Sequence, residues 1–116
     1  MALTVCVPVT EAGEVDARWG RAARVALATV EAGEVAAWRE VEVGWDVRHD
    51  LAGEGRHHAE VARFLTQHGV GAVVAAGMGE PMRHMLGRLG VEVHLGAAGD
   101  ARAAVAAYAR SLAEGS

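Results

Sequence analysis

The chain has 116 residues, a formal net charge of −4 and one cysteine. That length is enough for a single domain, residues 1–116, with one core, and the mildly acidic balance excludes a nucleic-acid partner held on a broad basic face. A single thiol excludes an intramolecular disulfide and any all-cysteine zinc or iron–sulfur site within one chain.

In chain order, Leu3 to Val9 ("LTVCVPV") is apolar and rich in β-branched residues, which predicts a buried central strand. Thr10 to Arg21 predicts a loop. "RVALATV" from Arg24 and "EVAAWREVEV" from Glu34 read as two strands joined by "EAG" into a hairpin. In the second of these, Val41 and Val43 alternate with Glu40 and Glu42, as expected of a strand with one wet face near a sheet edge. Gly44 to Gly55 loses periodicity and predicts a mobile loop. "HHAEVARFLTQHG" from His57 predicts a helix closed by Gly69, and "VGAVVAAG" a second buried strand. "EPMRHMLGRLG" predicts a short helix with Pro81 in its first turn, "VEVHLG" a last strand, and "DARAAVAAYARSLAEG" a final helix capped by Asp100.

Right-handed crossovers from the first strand through the two later ones arrange these pieces as a mixed five-stranded sheet of order 3-2-1-4-5, flanked by three helices. A crevice is then expected beyond the carboxyl ends of strands one and four, where open α/β sheets take their ligands. Thr10 to Arg21, Gly77 to Pro81 and Gly96 to Asp100 feed it, with His57 and His58 close enough to fold over it.

Adjacent histidines can offer imidazole lone pairs to a metal, with Asp46, His49 and Asp50 upstream as further ligands or acceptors, or they can belong to an ordinary solvated loop. Met78 lies between two turn glycines at a strand end and is expected to face the crevice, whereas Met82 and Met85 fit core packing. Arg18 and Arg21 suit an anionic cargo, or surface ion pairs with Asp16 and Glu14. Gly77 and Gly79 let backbone N–H groups approach an anion. The dinucleotide fingerprint is incomplete, because Met82 stands where its third glycine is needed. A two-metal nuclease needs convergent carboxylates, ordinarily with one on the first strand, and "LTVCVPV" has none. Cys6 reads as a buried small hydrophobe. Without a basic leader region or a membrane-length apolar run, a soluble cytoplasmic protein is expected.

Three stretches, "VCVPVTEAGEVDARWGRA", "HHAEVARFLTQHGVGAVVAAGMG" and "LGVEVHLGAAGDARAAVAAY", together resemble the dinitrogenase iron-molybdenum cofactor biosynthesis family, over nearly the whole chain. The resemblance implies a ribonuclease H-like α/β fold and a non-enzymatic carrier of a preformed iron–sulfur-based metallocluster, with or without molybdenum. Partners would be the cargo and a donor or acceptor protein of cofactor assembly. Gly20 and Arg21 match the family's Gly-Arg pair, Gly77 and Gly79 its glycine turn, and His57 or His58 falls near its histidine-bearing loop. Trp19 replaces the usual Phe, and Arg18 stands where a Ser or His is usual. The alternatives are a regulatory domain binding a small anion or nucleotide in the same crevice, and a protein-interaction module using Gly44 to Gly55.

Overall fold

Almost unbroken apolar character makes Leu3–Val9 the central strand, β1, of a five-stranded sheet. The computed structural model describes residues 2–115, with the side chains of 49–52 and 54 left outside that description. β1 pairs antiparallel with β2 (Arg24–Glu31), which turns back into β3 (Glu34–Glu42). On its other side β1 pairs in parallel with β4 (Val70–Val74), and β4 in parallel with β5 (Glu92–His94). The resulting order, β3-β2-β1-β4-β5, is the expected one. β3 and β5 are the edge strands, and the outer positions of β3 are exposed.

Parallel pairs cannot be closed by a hairpin, so each requires a crossover. α2 (Glu54–Gln67) precedes β4, α3 (Glu80–Arg88) links β4 to β5, and α4 (Ala101–Glu114) follows β5. A fourth helix, α1 (Trp45–Ala52), corrects the expectation of three helices and of a mobile loop over Gly44 to Gly55. It has no apolar stripe that periodicity could detect. Among its described side chains, one buried residue anchors it: the Trp45 N–H donates to the Ala22 carbonyl at 3.1 Å, and its indole packs edge-on against Trp19 at 5.2 Å and Phe64 at 5.6 Å. Gly53, at φ 78°, breaks the chain between α1 and α2 in a conformation other residues avoid. α2 therefore begins three residues before His57.

The period-two alternation of the strands splits the core into two layers. Val5, Val7 and Val9, with Ala26, Ala28, Ala72 and Val74, face Ala101, Val105, Tyr108 and Ala109 of α4. The small side chains let this helix lie close to the sheet. On the opposite face Cys6, Val25, Leu27 and Val73 meet Val61 and Leu65 of α2, Met82 and Leu86 of α3, and the two tryptophans, Trp19 and Trp45. Burial pushes the Cys6 thiol far above its ordinary range, so it serves as a small apolar side chain.

Asp100 caps α4 by accepting from the Ala103 N–H at 2.9 Å. Tyr108, on the same helix, donates its hydroxyl to Glu92 at 3.1 Å. Burial, reinforced by that carboxylate, raises the phenol from 10.0 to about 12. A raised value means that the fold favours the protonated phenol, so this stabilisation is complete below pH 10.0 and is lost as pH rises towards about 12. Since Tyr108 is the only tyrosine, tyrosinate absorbance will report it alone, and Tyr108→Phe should flatten the loss of stability in that window. A second expectation concerns the β2–β3 turn, where Ala32 sits at φ 51° beside Gly33 at φ 80°. Left-handed backbone costs alanine about 1–2 kcal/mol, so Ala32→Asn should raise the stability measured by urea unfolding by about 1 kcal/mol.

Candidate functional site

β1 and β4 run in parallel side by side, so their carboxyl ends release two loops at the same edge of the sheet. The loop after β1 is pinned along its length. Val15 bridges back to Val9, the Asp16 N–H donates to the Pro8 carbonyl at 2.9 Å, and the Arg18 N–H donates to the Asp16 carboxylate at 2.9 Å. Trp19 then turns into the core, 2 % exposed, beneath Trp45. The second loop, Ala75 to Gly79, leads straight into α3.

Between the loops lies a cleft of about 340 Å³. Its walls include Arg18, Gly20 and Arg21 from the first loop, Gly77, Met78 and Gly79 from the second, and His57 and His58 from α2. These eight residues, singled out in the sequence, therefore surround one space. Trp19, Pro81 and Met82 complete most of the lining, and Met82 had been expected only in the core. It does both, since it is buried against the hydrophobic layer while forming part of the cleft wall. Met85 packs against the core as expected. Asp46 is exposed outside the lining, and His49 and Asp50 lie among the undescribed side chains.

The lining contains no Asp or Glu, although the chain as a whole is acidic. Arg18 lies 3.8 Å from Asp16, but its side chain is 64 % exposed, and a pair so open to water holds the guanidinium loosely. Arg21 forms no ion pair among the described residues. Among these residues, too, the N–H groups of Gly20, Arg21, Gly77, Met78 and Gly79 donate to no protein acceptor. Two loops thus present backbone donors and two guanidinium groups around one cleft, a setting that favours anions. No group of three or more His, Cys, Asp or Glu that could hold a metal ion occurs among the described residues. A bare cation would meet positive charge here without carboxylates to balance it.

The two histidines differ sharply in environment. His57 is 0 % exposed, and its Nε2 donates to the Gly20 carbonyl at 2.6 Å. Trp45 packs edge-on against its ring at 6.3 Å. His58 is only part-buried. The sequence does carry a signal for this difference: His57, Val61 and Leu65 recur every four residues and so share the buried face of α2.

A profile of the family described as dinitrogenase iron-molybdenum cofactor matches residues 1–111. The chain belongs to this family. Membership points to a cofactor-binding or carrier role. No curated protein matches the chain closely enough to count as a relative. Solved structures share the fold of this dinitrogenase cofactor family member at low identity. PH0822 superposes with a TM-score of 0.72 at 21 % identity, over 97 % of this chain and 90 % of its own. The apo form of the orange protein from Desulfovibrio gigas follows at 0.69 and 23 %, over 90 % and 85 %. TM1290 from Thermotoga, provisionally assigned as a NifB protein of the DUF35 family, gives 0.66 and 20 %, over 91 % and 86 %. Among the described residues, no helix is long and apolar enough to cross a membrane.

Gly77 distinguishes a demand of the backbone from a demand of the space. Its φ lies outside the left-handed region, and a Cβ built on it would meet no atom within 4 Å. The fold therefore tolerates a methyl group there, and Gly77→Ala should leave thermal stability unchanged or raise it by up to about 1 kcal/mol, while placing new bulk beside the open cleft.

Proposed function

We propose that this chain works as one domain that carries a preformed, anionic iron–sulfur-based metallocluster, with or without molybdenum, between a donor and an acceptor protein of cofactor assembly in the cytoplasm. It performs no catalysis on the cargo. The observation that carries this reading is the acid-free cleft, with its two arginines and its row of uncommitted backbone N–H groups. A cluster that arrives with its own sulfides needs few protein ligands. Its outer sulfides accept hydrogen bonds from Gly20, Arg21, Gly77, Met78 and Gly79, and Arg18 and Arg21 balance its charge. The soft donors within reach of the same space are the Met78 and Met82 thioethers and the His58 imidazole, which suit iron or molybdenum in a sulfide shell better than a hard cation.

Holding cargo by charge and hydrogen bonds, with few covalent bonds to metal, also suits release. A carrier must bind firmly enough to protect its cargo and weakly enough to surrender it. Backbone donors are set by the fold and lose no side-chain entropy on binding. The same donors would accept a small oxyanion, which keeps anion binding as the second reading.

The test is anaerobic reconstitution with an extracted iron–sulfur or molybdenum-containing cluster, followed by gel filtration, visible absorption and metal analysis. Iron and sulfide should co-elute with the protein at a fixed ratio. Arg18→Ala combined with Arg21→Ala should weaken retention by about tenfold or more and reduce its sensitivity to salt. A folded wild-type protein that retains no metal, yet binds inorganic phosphate in calorimetry, would replace the carrier reading with the small-anion one.

A further inference from the structure

His57 and His58 are neighbours in the chain, yet a helix turns by roughly 100° between successive residues, so they cannot face the same surroundings. His57 follows the buried stripe through Val61 and Leu65 and exposes none of its surface, even to a water-sized molecule. A metallocluster is larger than water. Both histidines border the cleft, but a cluster reaches a ring atom of the fully buried His57 only by rearranging the site, whereas the part-buried His58 already offers it surface.

The hydrogen bond of His57 commits one of its two ring nitrogens. The Gly20 carbonyl can only accept, so the proton of the 2.6 Å contact belongs to Nε2 of His57. Protonated Nε2 has no lone pair to give to a metal, and Nδ1, the ring nitrogen that keeps one, is buried. What the bond does is fix a peptide plane. Among the described residues no peptide bond is cis, and in a trans peptide the carbonyl of one residue and the N–H of the next point in opposite directions. Holding the Gly20 carbonyl against His57 therefore turns the Arg21 N–H away from that ring and sets the orientation of the segment that bears Arg18 and Arg21. The same segment is fastened at its far end by the Ala22 N–H to the Trp19 carbonyl at 3.4 Å and by the Trp45 N–H to the Ala22 carbonyl at 3.1 Å.

We infer that the two histidines divide the work: His57 is a positioning residue that latches the Gly20 peptide from within the core, and His58 is the imidazole presented to cargo. The division rests on the carrier reading for its cargo half, but the latch itself exists without cargo. It assigns His57 a role that the ligand expectation for adjacent histidines does not contain, and it makes α2 the element that holds the cargo loop in shape.

The experiment compares wild type, His57→Ala, His57→Gln and His58→Ala. In the cargo-free, 15N-labelled wild type, a long-range nitrogen–proton correlation of the imidazoles should show His57 with its proton on Nε2. Amide exchange at Ala22 and Trp45 should accelerate in His57→Ala, stay slow in His58→Ala, and recover in His57→Gln, whose amide N–H can still donate to Gly20. Retention of a synthetic [4Fe–4S] cluster with exchangeable thiolates should fall by about tenfold or more in His58→Ala with the loop amides still protected. In the His57 series retention should instead follow loop protection, lost with Ala and largely regained with Gln. Absence of the Nε2 proton in wild type, or any His57 variant that keeps the loop protected but loses the cluster, would overturn the assignment. Should wild type retain no cluster at all, the carrier reading and the His58 half fall together, while the cargo-free spectrum and the exchange rates still judge the latch.

Discussion

The parallel pairing of β1 with β4 is the constraint on which the rest of the molecule depends. Parallel neighbours deliver their carboxyl ends to the same edge of the sheet, and the chain must then diverge, towards β2 on one side and through α3 to β5 on the other. The divergence leaves a gap that no strand fills. Arg18, Gly20 and Arg21 stand on one lip of that gap and Gly77, Met78 and Gly79 on the other, although more than fifty residues separate them in the chain. The cleft is thus a product of topology before it is a product of particular side chains.

Packing then decides how firmly the lips are held. The face of the sheet covered by α2 and α3 ends, near the cleft, in an aromatic cluster of Trp19, Trp45 and Phe64 with His57 against it. This cluster does for the loop after β1 what hydrogen bonds do for a strand: it removes conformational freedom. It carries a cost as well, because the indole N–H of Trp19 is buried with no acceptor among the described residues, and an unmet donor costs about 1–3 kcal/mol. Packing of the large ring against Trp45 offsets that cost locally. Departures from ideal satisfaction tend to gather at functional sites, and this one borders the cleft.

Electrostatics add selectivity to the cleft. An acidic protein that keeps carboxylates out of one cleft, and leaves backbone donors and two arginines there, has made that cleft attractive to anions and unattractive to free cations. The absence of lysine does not weaken this arrangement, since guanidinium groups form the better-directed contacts to oxyanions and sulfide.

By itself the sequence determined the strands, three of the helices and the strand order, and it pointed to the two loops that flank the cleft. Each of these follows from short-range pattern: unbroken apolar runs for β1 and β4, alternation in β3, Pro81 and Asp100 at helix starts, and glycines where the chain leaves β4. Only the tertiary structure decided α1, because its sequence displays no apolar periodicity and its anchor, Trp45, is a contact made with distant residues. The four-residue spacing of His57, Val61 and Leu65 marks which histidine lies on the apolar stripe of α2, and tertiary structure decided what that stripe meets. Which of two adjacent histidines turns inward depends on the rotation of α2 about its axis, and that rotation is set by the packing of Val61 and Leu65 against strands distant in sequence. The pairing of His57 with Gly20, thirty-seven residues away, is a contact that no local pattern encodes.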